Sequence, residues 1–189
     1  MTRTEAFSEV AVEDAGQLRD WLGAHHGQDE SVWLVTWKKD AGPRHLDREA
    51  VLDALIAFGW IDGIRRARDD GRTMQLISRR RQQDWTRSYR DRAERLEAEG
   101  LMAEPGRDAV RAAKLGGTWE ANEDVDDLVV PADLAVALGP AETWFRQAAP
   151  SYRRNVLRWI SKAKQPETRA RRIAQTVSSA ERAEKMRNF

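Results

Sequence analysis

Apolar residues recur along this chain with two different periods, and each change of period marks an element. Leu18, Trp21 and Leu22 repeat at helical spacing behind Asp14, which is placed to cap them, and Gly27 ends the run. Residues 31–39, SVWLVTWKK, are rich in β-formers and predict a buried strand. Trp33, Val35 and Trp37 share one of its faces, and Val32, Leu34 and Thr36 the other. Asp47 is expected to cap a second helix, with Glu49 in its first turn and Val51, Leu52, Leu55, Ile56 and Phe58 on its apolar side. Gly59 then stands where a left-handed C-terminal residue is wanted. Residues 60–67 and 73–80 predict two strands around a turn on Asp70 and Gly71.

From residue 86 onward the helical period dominates. Tyr89, Ala93 and Leu96 form one stripe ended by Gly100, and Pro105 suits the first turn of the next helix. Gly116 and Gly117 stop that helix. Residues 131–138 and 142–148 predict two short helices. Residues 151–163 predict an amphipathic one, with Tyr152, Val156, Trp159 and Ile160 on one stripe and Arg154, Arg158 and Lys162 on another. Pro166 opens the last helix, which is expected to fray from Ser178. The pattern therefore predicts an α+β fold: a small antiparallel sheet of about three strands packed with helices, then a helical C-terminal half. It divides into residues 1–117 around the central hairpin, an acidic connection at 118–130, a helical region at 131–177 packed on the first, and a tail at 178–189.

Composition narrows the chemistry. The chain has 189 residues, 41% hydrophobic and 33% charged, which fits a soluble globular protein. It has no cysteine, so disulfides and thiolate chemistry are excluded. His25, His26 and His45 form no metal-binding spacing, and neither a metal nor a cofactor is expected. No apolar run has signal-peptide or membrane-span length, so a cytoplasmic protein without membrane insertion is expected. Net charge is only +1, but it is blocked. Residues 64–95 hold eleven arginines against five acids, residues 118–143 hold seven acids and no Lys or Arg, and residues 146–172 are basic again.

Residues 54–63, ALIAFGWIDG, raise a question, because a carboxylate follows a tryptophan into what should be a core. Residues two apart on a strand share a face, so Trp60, Asp62 and Ile64 are expected to be neighbours. A symmetric hairpin sets Asp62 opposite Arg79 and Trp60 opposite Arg81, while a slip of one residue sets Asp62 opposite Ser78. Either Asp62 neutralises Arg79 at the core margin, or Trp60, Asp62, Arg79, Arg81 and Trp85 line a ligand-binding cleft. The arginines at 79–81 can likewise grip phosphate while Trp85 stacks on a base, or pair internally with Asp62 and with the acids at 120–127. At the second break, Lys164, Thr168 and Arg169 surround a helix start at Pro166, either as an anion site or as a capped corner. Phosphate-loop, dinucleotide-binding and hydrolase-elbow motifs are absent.

AFGWIDG, SRRRQQDW, GLM with Gly106 four residues past Met102, AAKLGGTW and RWISKAKQPETRARRI follow one another in this order. Together they resemble the YdeI/OmpD-associated, or bacteriocin-protection, family over about residues 7–173. The resemblance implies protection against bacteriocins or membrane-active peptides and association with an outer-membrane porin. One departure is local: the family tends to read Trp-Ser-x-x-Asn, and this chain reads Trp85-Thr86-Arg87-Ser88-Tyr89. The expected function is a non-catalytic, cytoplasmic binding protein in tolerance of envelope or antimicrobial-peptide stress, with an unidentified ligand or protein partner. A nucleic-acid-binding protein using the two arginine-rich segments is one alternative. A small enzyme with Asp62 in a polar pocket is the other.

Overall fold

A computed structural model describes residues 7–69, 71–81 and 83–186. These fall into two compact units, up to Glu120 and from Ala121 onward. The first unit runs β1 (Glu9–Ala11), α1 (Ala15–His25), β2 (Val32–Trp37), α2 (Arg48–Ala57), β3 (Trp60–Ala67), β4 (Arg72–Arg79), α3 (Arg87–Ala98) and α4 (Glu104–Leu115). Both expected caps form: Asp14 accepts from the Gln17 amide at 2.8 Å and Asp47 from the Ala50 amide at 2.7 Å. Gly59 ends α2 with φ +72°, the left-handed conformation that its position calls for.

The fold class is α+β, with one strand more than expected. β1 pairs in parallel with β2, so the sheet is mixed, in the order β1-β2-β4-β3. Three residues in an acid-rich stretch leave too short a pattern to read as a strand. β1 and β3 are the edges. A flat sheet would hold them about 14 Å apart, yet Arg68, just past β3, pairs with Glu9 of β1 at 2.9 Å. Arg66 likewise reaches past β4 to lie 5.4 Å over the Trp33 ring of β2. The sheet curls, and its own arginines lean over the face away from the helices.

Beside the turn the hairpin takes the register slipped by one residue, with Ala67 facing Thr73 and Arg65 facing Gln75. A shift between Asp62 and Arg65 then sets Asp62 opposite Ile77, so neither expected partner of Asp62 holds. Gly63 and Ile64 together oppose Leu76, which is a β-bulge. A Cβ on Gly63 would lie 3.2 Å from the Leu76 carbonyl oxygen. The bulge breaks the alternation, so Ile64 is 49% exposed and does not join Trp60 and Asp62. The turn expected on Asp70 and Gly71 lies partly outside the described residues, since Asp70 is not among them.

Two cores build this unit. Leu18 and Leu22 of α1 and Val51 and Leu55 of α2 pack on the Leu34, Trp60 and Ile77 face of the sheet. Ile56, Ala57, Trp85, Leu96, Met102 and Trp119 form the second, where α2 meets α3 and α4. The second unit is helical: α5 (Glu123–Asp126), α6 (Ala132–Leu138), α7 (Glu142–Gln147), α8 (Pro150–Ser161) and α9 (Pro166–Glu181). Leu134, Phe145, Val156 and Ile160 are its centre. Within the acidic stretch, Asp126 is nearly buried and faces Arg154 and Arg158 of α8 at 3.9 and 3.5 Å. The expected fraying at Ser178 is replaced by helix through Glu181, because Ser179 and Ala180 are buried.

Candidate functional site

Asp62 does not pair with Arg79. One of its oxygens accepts from Gln75 Nε2 at 3.0 Å and the other from the Tyr89 hydroxyl of α3. Gln75 Oε1 in turn accepts from Arg65 at 3.0 Å. Burial, and then the Asp62 hydrogen bond, push the Tyr89 hydroxyl above its usual range, so it stays protonated and donates. The half-buried carboxylate thus has both oxygens engaged in a chain linking β3, β4 and α3. Sequence reasoning missed Tyr89 here because its ring fits the apolar stripe of α3. Its hydroxyl was the available signal. An Asp62→Ala chain is expected to lose about 2 kcal/mol, because the buried Gln75 amide and the Tyr89 hydroxyl lose their acceptor. Urea denaturation checks this, and an unchanged midpoint counts against the network.

The two tryptophans of the expected cleft are closed to solvent. Trp60 is fully buried, donates its indole N–H to the His26 carbonyl at 3.3 Å, and meets Trp21 edge-on. Trp85 packs against Trp119 with ring centroids 4.9 Å apart. Arg80 lies over the Trp85 ring at 4.1 Å and over Tyr89 at 5.1 Å, and donates to the Gln83 carbonyl at 3.2 Å. Burial pushes its guanidinium down to about 10, still charged at neutral pH.

Arg79 and Arg81 remain exposed and come together with Arg80 on a cleft of about 580 Å³. The strand end supplies the arginines, and the backbone N–H of Arg80 donates to the Gly59 carbonyl at 2.8 Å, fixing the strand end to the end of α2. Phe58, Pro105 and Ala109 provide an apolar wall, and His26 lies at the rim. Only Arg81 has a carboxylate partner among the described residues, Asp29 at 3.2 Å. Asp108 also lines the cleft but is bound by Arg111. The cleft therefore combines exposed guanidinium groups with apolar residues. Arg79 and Arg81 of the expected set meet there; Asp62 lies in the network described above.

The second expected site has a different character. Arg169 is held by Asp133 through two hydrogen bonds, at 2.7 and 2.9 Å, which keep the Asp133 carboxyl below its usual range. Lys164 is exposed and Thr168 half-buried. No cluster of His, Asp or Glu arranged to hold a metal occurs among the described residues. None of their helices is long and apolar enough to cross a membrane.

Residues 10–109, more than half of the chain, match the family model of a domain of unknown function, DUF8412. Residues 127–183 match the bacteriocin-protection, YdeI or OmpD-associated family. The chain belongs to the first family and carries a domain of the second. The YdeI/OmpD-associated match thus covers the RWISKAKQPETRARRI motif, whereas AFGWIDG, SRRRQQDW and the arginine cleft fall in the DUF8412 match. Comparison with curated proteins and with solved structures finds no match.

Proposed function

We propose that the chain acts by binding, without catalysis, in the cytoplasm, and serves the tolerance of bacterial envelope or antimicrobial-peptide stress that the bacteriocin-protection name describes. Its ligand is an organic anion, a carboxylate or phosphate on an apolar body. The supporting observation is that the exposed Arg79 and Arg81 share one cleft with the apolar residues Phe58, Pro105 and Ala109, and that of the two only Arg81 has a carboxylate partner among the described residues. Guanidinium groups suit such anions because they offer forked donors. The non-catalytic reading rests on Asp62: with both oxygens hydrogen-bonded, it is not free to act as a base.

Binding of nucleic acid has less support, because many arginines of the two basic segments are engaged inside their own units. Arg80 is buried, Arg92 and Arg95 clamp Asp53, Arg169 holds Asp133, and Arg172 donates to the Trp159 carbonyl.

Calorimetric titration with benzoate and with phenyl phosphate tests the binding reading. The wild-type chain is expected to bind, more weakly as salt rises, and the Arg79→Ala/Arg81→Ala double variant to lose about tenfold or more. Single-stranded DNA and RNA oligonucleotides are expected not to bind at physiological salt. Absence of binding to either small anion, or equal binding by the double variant, overturns the proposal. In cells, the same double variant is expected to lower survival under a cationic antimicrobial peptide.

A further inference from the structure

A second recess lies in the first unit, along the hairpin of α3 and α4. It holds about 480 Å³, within the usual range for small-ligand pockets. Ala93 and Met102 lie deep in it with Val110 and Trp119, and all four belong to or pack against the second core. The short side chains of Ala93 and Ala98 leave room that larger residues on α3 would fill. The floor is thus apolar without being packed shut.

The charges around it are unequal in their commitments. Glu97 is held by Arg107 through both oxygens, at 2.9 and 3.0 Å. Arg111 is held by Glu104 at 2.7 Å and by Asp108. Lys114 is different. No carboxylate pairs with it among the described residues, and its ammonium lies 4.9 Å over the ring of Trp119, on the floor itself. A position at a helix C-terminus explains a cation there but not one drawn over the groove. Glu94, exposed on α3, has the opposite sign but no ring contact to hold it in place. The fixed charge at the floor is therefore positive.

We propose that this groove binds a single-chain amphipathic carboxylate, its alkyl part on Ala93, Met102 and Val110 and its carboxylate at Lys114. Burying a chain of methylenes on this floor supplies most of the affinity, since removal of apolar surface from water is favourable in proportion to its area. The ion pair with Lys114 sets the sign and the orientation. The site is separate from the arginine cleft and uses none of the arginines at 79–81.

Titration of the full chain with decanoate below its micelle concentration, followed by calorimetry, tests this. Decanoate is expected to bind, and decyltrimethylammonium to bind more weakly or not at all. Lys114→Gln is expected to weaken decanoate about fivefold, the effect of one partly exposed charge pair, and Lys114→Arg to restore it. Val110→Trp, which fills the groove, is expected to abolish binding. The Arg79→Ala/Arg81→Ala chain is expected to bind decanoate as the wild type does, which separates this site from the other cleft. Vesicles of anionic phospholipid are expected not to sediment the protein. Failure of decanoate to bind, tighter binding of the cationic amphiphile, sedimentation with the vesicles, an unaffected Lys114→Gln chain or loss in the arginine variant overturns the proposal.

Discussion

A Gly106→Ala chain is expected to lose about 3 kcal/mol or more of stability, the upper range for overpacking a close contact. Its thermal midpoint, followed by circular dichroism, should fall by about 10 °C. A Cβ at this position would lie 2.3 Å from the carbonyl oxygen of Ala57 and 2.8 Å from that of Ile56. These are backbone atoms of the last turn of α2 and cannot rotate aside. The Ala57 carbonyl is also tied to the Ala103 amide at 3.1 Å, so the start of α4 is fixed against α2 from both sides. Alanine is the better helix former by up to about 1 kcal/mol, so a loss here isolates the steric cost. Gly23 of α1 is the control. A Cβ there meets only Phe58, at an ordinary 3.7 Å, and Gly23→Ala is expected to leave stability unchanged or raise it slightly. A tolerated Gly106→Ala would mean that α2 and α4 do not approach this closely.

The second large effect is expected at Trp85. Replacement by alanine should cost about 4 kcal/mol, as for other large buried aromatics. The side chain is 1% exposed and fills the space between Trp119 and the guanidinium of Arg80. Its loss opens a cavity and removes the aromatic face against which a buried cation rests. Trp85→Phe should recover part of the stability. A double-mutant cycle with Arg80→Met should show a coupling of about 1–2 kcal/mol, the range for a desolvated cation over an indole. Urea denaturation of the four chains measures it. Simple additivity would show that Arg80 is held by its carbonyl contacts alone.

Where local chemistry decides an element, the sequence is a good guide. The caps at Asp14 and Asp47, the left-handed Gly59, and the prolines in the first turns of α4 and α9 follow from the side chains at those positions. The bulge at Gly63 and Ile64 does not, because a strand pattern of eight residues carries no mark of one extra residue. That single residue sets the partners of Asp62, so the site was misread for the same reason that the register was. The arginines at 79–81 were visible as a charge block, but their fates were not. Arg80 is buried over Trp85, Arg81 pairs with Asp29, and Arg79 stays in the cleft. Those fates depend on which helices pack nearby, which no spacing along the chain encodes. The close approach at Gly106 is tertiary in the same sense, since its neighbours Ile56 and Ala57 lie about fifty residues earlier.

The curl of the sheet bears on how this protein behaves at high concentration. Open strand edges are templates on which other chains can add and aggregate. Here β3 is bent by its bulge and lined with Arg65, Arg66 and Arg68. β1 is only three residues long, and the Glu9–Arg68 pair draws the two margins toward each other. An incoming strand would meet a kinked ladder on one side and too short a ladder on the other. The same ion pair that shapes the sheet therefore guards it against self-association.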